Sequence, residues 1–137
     1  MSESPYHLEG LPLIDAGVAQ TVITPPVGIN LAGYYHERIA RRVRDDLYCR
    51  ALLLQFAGNG DKRIALVSLD LIGVVDEWVA QAKSLIQDHL GLPPERVLIC
   101  ATHTHTGPGV RPGRDDVPGP WLAELPTRIA QTVQAAA

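Results

Sequence analysis

Aromatic side chains are scarce in this chain of 137 residues: one Phe, two Trp and four Tyr. That argues against a binding surface built on base stacking. Positive charge is scarce as well. Twelve Lys and Arg stand against 15 Asp and Glu, so no basic field grips a polyanion and no nucleic-acid partner is expected. No apolar run approaches the ~18 residues of a membrane span, so no transmembrane segment is expected. Two cysteines are too few for a disulfide framework, and no C-x-x-C spacing occurs. Cys49 and Cys100 sit in apolar runs and read as buried free thiols. The first ten residues show neither a basic nor an apolar stretch of the secretory type, which makes a reducing cytoplasm the expected compartment.

What is present is a 46% hydrophobic chain of one-domain length, so residues 1–137 read as a single domain with a sizeable core. Leu11 to Thr24 reads as an early strand pair, stopped by Pro25 and Pro26. Leu47–Gln55 and Ile64–Leu69 read as strands joined by a tight turn at Gly58-Asn59-Gly60-Asp61. Asp76 to Leu90 is the clearest helix: Val75, Val79, Ala82, Ile86 and Leu90 recur at steps of three or four, and Gly91, Pro93 and Pro94 end it. Val97–Ala101 is a continuous apolar run, the pattern of a strand covered on both faces. A second amphipathic helix runs from Trp121 to Ala137. Strand 64–69, helix 76–90 and strand 97–101 form a βαβ unit, and the fold class is α/β with a mixed sheet.

In open α/β sheets, ligands bind beyond the carboxyl ends of the strands. Beyond strand 97–101 the chain reads Thr102-His103-Thr104-His105-Thr106-Gly107-Pro108-Gly109. In an extended chain His103 and His105 point the same way, ~6.6 Å apart. The neighbouring strand ends at Asp70, which is expected to reach the same cleft and to hold an imidazole in one tautomer. Two imidazoles and a carboxylate make a start on a zinc site, since Zn²⁺ favours both donor types. The plainer alternative is a pair of loop histidines bonded to neighbouring Thr hydroxyls and an Asp that caps a turn.

Gly107–Pro120 holds four Gly and four Pro among fourteen residues and reads as a pocket wall, or else as a plain connector. His36 and the arginines at 38, 41, 42 and 44, followed by Asp45 and Asp46, read as surface loop with local charge pairing, anion recognition being the other option.

Three segments together resemble a known family. Ala16-Gly17-Val18-Ala19 through Ile23-Thr24-Pro25-Pro26-Val27-Gly28 and on to Leu31-Ala32-Gly33-Tyr34 is similar to the start of the neutral/alkaline, non-lysosomal ceramidases. Asp46-Leu47-Tyr48-Cys49-Arg50-Ala51, with Ala65-Leu66-Val67-Ser68-Leu69-Asp70, resembles the next block of that family. His103-Thr104-His105-Thr106-Gly107-Pro108-Gly109 resembles its His-Thr-His-Ser-Gly-Pro-Gly signature, with Thr106 in place of Ser. The resemblance implies a zinc-dependent hydrolase of amide bonds in N-acyl lipids such as ceramide, a hydrolase of sphingolipid metabolism. It also implies a zinc ligand at His103 and a substrate-orienting residue at His105; Asp70 joins them as a catalytic candidate from its place at the neighbouring strand end.

The family's further ligands (a His, a Glu and a Tyr) lie downstream of the matched segments. The chain therefore reads as the N-terminal part of a larger ceramidase-like domain, inactive alone, with a lipid or small-molecule amide as substrate. Two other readings stand beside it: a non-catalytic α/β interaction domain, and a different metallohydrolase built on His103, His105 and Asp70 alone. The N-terminal part of a larger domain is expected to leave an apolar face for a second copy or a partner chain to cover.

Overall fold

The computed structural model describes residues 13–57, 62–111 and 119–137. Four strands form one sheet in the order β1 (Ile14–Val22), β2 (Tyr48–Phe56), β3 (Arg63–Leu69) and β4 (Val97–Ala101). The first two pairings are antiparallel and the third, β3 with β4, is parallel. Helix α1 (Asp76–Leu90) makes the parallel crossover, and α2 (Gly119–Ala135) follows β4. This is a mixed α/β fold with a βαβ unit. The expected turn at Gly58–Asp61 lies outside the described residues, as does most of the Gly- and Pro-rich segment after Arg111.

Both helices lie on one face of the sheet. The inward side chains are small or branched, and one row crosses all four strands as Ala19, Ala51, Val67 and Ile99 in register. Leu69, Leu71, Ala82, Ile86, Leu125, Ile129 and Val133 complete the core with almost no exposed surface. Asp76 and Glu77 in the first turn of α1 suit the positive end of the helix dipole. Gly91 ends the helix in the left-handed region (φ 66°), and its N–H donates to the Gln87 carbonyl at 2.8 Å. Pro126 sits inside α2 yet is fully buried. It has no N–H to give to the preceding turn, and its ring adds to the apolar face instead. Trp121 fixes the start of α2 by donating its Nε1–H to the Ile23 carbonyl at 3.0 Å.

Three expectations are corrected. Residues 13–24 do not form a strand pair: Ile14–Val22 is one strand whose partner is β2, and Gly17 in its middle leaves room for the Ala136 carbonyl, which packs where a Cβ would stand. β4 is covered on one face only, with Leu98 and Cys100 turned outward. Cys100 is accordingly exposed, whereas Cys49 is buried as expected. The apolar pattern of β4 is genuine, but half of it faces away from the helices. On that open face a second row crosses the sheet, Val18, Leu52, Leu66 and Leu98, with Val18 75% and Leu98 59% exposed.

Candidate functional site

The parallel pairing of β3 and β4 continues past the strand ends. Thr102 N–H donates to the Leu69 carbonyl at 2.9 Å, and Thr104 N–H to the Leu71 carbonyl at 3.2 Å. His103 lies between these two anchors at φ 63°, the one non-glycine residue with positive φ among the described residues. Such a conformation costs on the order of 1 kcal/mol for a residue with a Cβ and persists only where its surroundings enforce it. The anchors on either side do so. The kink replaces the extended run expected of this segment and carries the imidazole over the 69–72 backbone, where Nδ1 lies 2.7 Å from the Ile72 carbonyl oxygen. A carbonyl oxygen only accepts, so Nδ1 carries the proton and the neutral ring keeps its lone pair on Nε2.

His105 stands beside it, the two ring centroids 5.1 Å apart and the planes at 67°. A second ring meets His105 edge-on: Tyr34, with centroids 6.0 Å apart. The Arg38 guanidinium lies over the Tyr34 ring, 3.9 Å from its centroid, and His36 lies 5.8 Å from the same ring. These groups come from a segment that folds back on itself. Gly28 N–H donates to the Ala40 carbonyl, Ala40 N–H to the Ile29 carbonyl and Leu31 N–H to the Arg38 carbonyl. Ala32 N–H then donates to the Gly107 carbonyl at 2.9 Å, which fastens this loop to the histidine loop. Gly33 is what lets the two touch: a Cβ there would stand 2.5 Å from Cγ of His105, and its φ of 85° already favours glycine.

Asp70 follows the last residue of β3. Its Oδ2 accepts from the Tyr48 N–H at 3.0 Å and from Arg50 Nη1 at 2.7 Å. The carboxylate thus ties β2 to the turn that leads toward Ile72 through a charge-assisted bond. The orienting bond to His103 comes from the Ile72 carbonyl. Cys49, the buried thiol of the core, is pushed up to about 11 by desolvation, with a Thr132 hydrogen bond and the Arg50 charge opposing and the Asp70 charge adding to the rise. It stays a neutral thiol at ordinary pH and is no nucleophile.

No three His, Cys, Asp or Glu side chains among the described residues are grouped to hold a metal ion. A catalytic zinc site uses about three protein ligands. The chemistry of the donors fits part of such a site, an imidazole with its Nε2 lone pair free and a second imidazole beside it, and does not complete one. Ile72, Gly33 and the Tyr34–Arg38 stack escaped the sequence reading. A backbone carbonyl carries no sequence signal. Gly33 did stand in the sequence next to Tyr-Tyr-His, an available hint of a close approach.

No family model matches the sequence, and comparison with curated proteins finds no match. The fold is similar to two solved structures. One is the crystal structure of neutral ceramidase from Pseudomonas aeruginosa, with a TM-score of 0.76 and 20% identity over 93% of this chain and 22% of that one. The other is a ceramidase complexed with C2, with a TM-score of 0.77 and 20% identity over 92% of this chain and 21% of that one. The chain therefore has the fold of part of a ceramidase and spans about a fifth of the length of these structures.

Proposed function

We propose that this chain is the N-terminal part of a zinc-dependent amide hydrolase of the neutral ceramidase type, acting on an N-acyl amide of a lipid or a related small molecule. The observation that carries the reading is the setting of His103: a strained backbone and a bond from Nδ1 to the Ile72 carbonyl leave Nε2 as the ring nitrogen open to a ligand at the carboxyl end of the sheet. Metal-ligating histidines are held in this way, the far nitrogen donating to a carbonyl or carboxylate. The ceramidase-like fold supports the reading independently.

His103 would hold the zinc through Nε2, with the remaining ligands supplied by residues outside this chain. Zinc, when bound, supplies Lewis-acid chemistry, polarising a carbonyl and acidifying water. His105 lies against Tyr34 and next to His103, placed to orient the amide by a hydrogen bond. Asp70, gripped by Arg50, positions the 70–72 turn that supplies the Ile72 carbonyl. The open sheet face with Val18, Leu52, Leu66 and Leu98 would be covered by the rest of the enzyme.

The test is hydrolysis of an N-acyl amide by a protein in which this chain continues into the remaining ligands. Activity that needs zinc and disappears in His103→Ala supports the assignment. Full activity in that variant refutes it.

A further inference from the structure

Beside the histidine loop lies a half-open cavity of about 520 Å³, a size ordinary for small-molecule sites. Its wall includes Thr106, Gly107 and Pro108 but neither histidine. The floor is apolar: Pro25, Ile29 and Pro108 are buried, and Leu31 and Leu47 are half-buried. The rim is different. Arg41, Arg42 and Arg44 stand exposed around it, together with Val27, Ile39 and Val43.

The two acidic residues of the rim are both engaged. Asp46 Oδ1 accepts the Thr24 hydroxyl at 2.8 Å, and Asp45 faces Arg44 at 3.4 Å. Three arginines against two aspartates leave the cavity one positive charge in excess. Arg41 and Arg42 are exposed, and among the described residues no ion pair or hydrogen bond engages their guanidiniums. An apolar floor under a planar, charged rim matches a molecule of the same division: an alkyl chain below, an anionic head group at the mouth.

We propose that this cavity binds an anionic amphiphile, with its chain on Ile29, Leu31 and Leu47 and its head group at Arg41 and Arg42. The site stands on its own geometry and needs no metal at His103. Carboxylate and phosphate head groups share the chemistry that a guanidinium fork recognises.

The experiment titrates the purified chain with sodium decanoate, decyl phosphate, inorganic phosphate and decyltrimethylammonium, each below its micelle concentration. Amide ¹H–¹⁵N shifts report where each one binds. Decanoate and decyl phosphate are expected to shift residues 25–47 and 106–108, and whichever binds more tightly identifies the head group. Inorganic phosphate should bind at least about tenfold more weakly for want of a chain, and the cationic amphiphile should not compete. The double variant Arg41→Gln, Arg42→Gln changes exposed residues only and should weaken both anionic amphiphiles about tenfold or more. Unchanged affinity in that variant overturns the proposal, as does equal binding of the cationic amphiphile or of bare phosphate. Shifts confined to Val18, Leu66 and Leu98 on the open sheet face also overturn it.

Discussion

His103 donates its Nδ1–H to the carbonyl oxygen of Ile72 across 2.7 Å, from a backbone held at φ 63°. One bond and one strained dihedral together decide which nitrogen of the ring faces outward. In a free neutral imidazole the proton moves between the two nitrogens, whereas here the carbonyl selects one form. Imidazole ¹⁵N shifts should show His103 as the Nδ1–H tautomer near neutral pH. An Nε2–H tautomer is incompatible with the bond.

Gly33 and Gly28 make a controlled pair. Both have positive φ, 85° and 95°, but a Cβ at Gly28 meets nothing within 4 Å while one at Gly33 runs into the His105 ring. Gly28→Ala should cost only the backbone strain, about 1 kcal/mol. Gly33→Ala should cost more and displace His105, seen as altered imidazole shifts. Equal stability loss and unmoved His105 signals in both variants would show that the ring is not packed on Gly33.

The open face of the sheet was hidden in the sequence for a physical reason. Alternation reveals a one-sided strand only when the outward positions are polar, and here Leu52, Leu54, Leu66 and Leu98 fill them. Residues 97–101 therefore looked buried on both sides. Helix α1 was legible to its bounds because its polar face is clean and Gly91 closes it. The His-x-His pair was legible as a candidate. Its kink was not, because the left-handed turn at His103 depends on Leu69, Leu71 and Ile72, more than thirty residues away in sequence.

That face yields a chemical prediction through the two thiols. Cys100 lies outward and Cys49 is buried. A thiol reagent should label Cys100 in the native chain and reach Cys49 only after denaturation. Rapid labelling of both would contradict the packing of α2 over β2.

Cys49 also predicts a pH dependence. Unfolded, it ionises near its ordinary 9.0; folded, it holds its proton to about 11. Below pH 9 both states are protonated and its contribution is fully present. Between these values the unfolded chain sheds a proton that the folded one retains, so stability falls as pH rises, by on the order of 3 kcal/mol from this group. Denaturant melts of the parent and Cys49→Ala should differ by a constant gap below pH 9 that narrows toward pH 11. A gap that stays constant across this range would show that Cys49 ionises alike in both states.

Trp121 ties α2 to Ile23 by a buried bond. Trp121→Phe leaves the Ile23 carbonyl without that donor and should lower stability by about 1–3 kcal/mol. Leu125→Ala, at a site with no exposed surface, should cost about 2–5 kcal/mol. Chemical denaturation checks both, and a loss under half a kilocalorie at Leu125 would mean that α2 does not cover the sheet.

His103 is proposed as a metal ligand in an incomplete set. Its most direct test is a Zn²⁺ titration of the purified 137-residue chain, followed by the ¹⁵N signals of the imidazole nitrogens, with an N-acyl amide present to register turnover. Weak binding is expected that moves Nε2 of His103 first, is lost in His103→Ala, and produces no hydrolysis, because no three metal-ligating side chains are grouped among the described residues. Tight binding near one zinc per chain with measurable amide cleavage, or zinc binding that leaves His103 Nε2 unmoved, would contradict it.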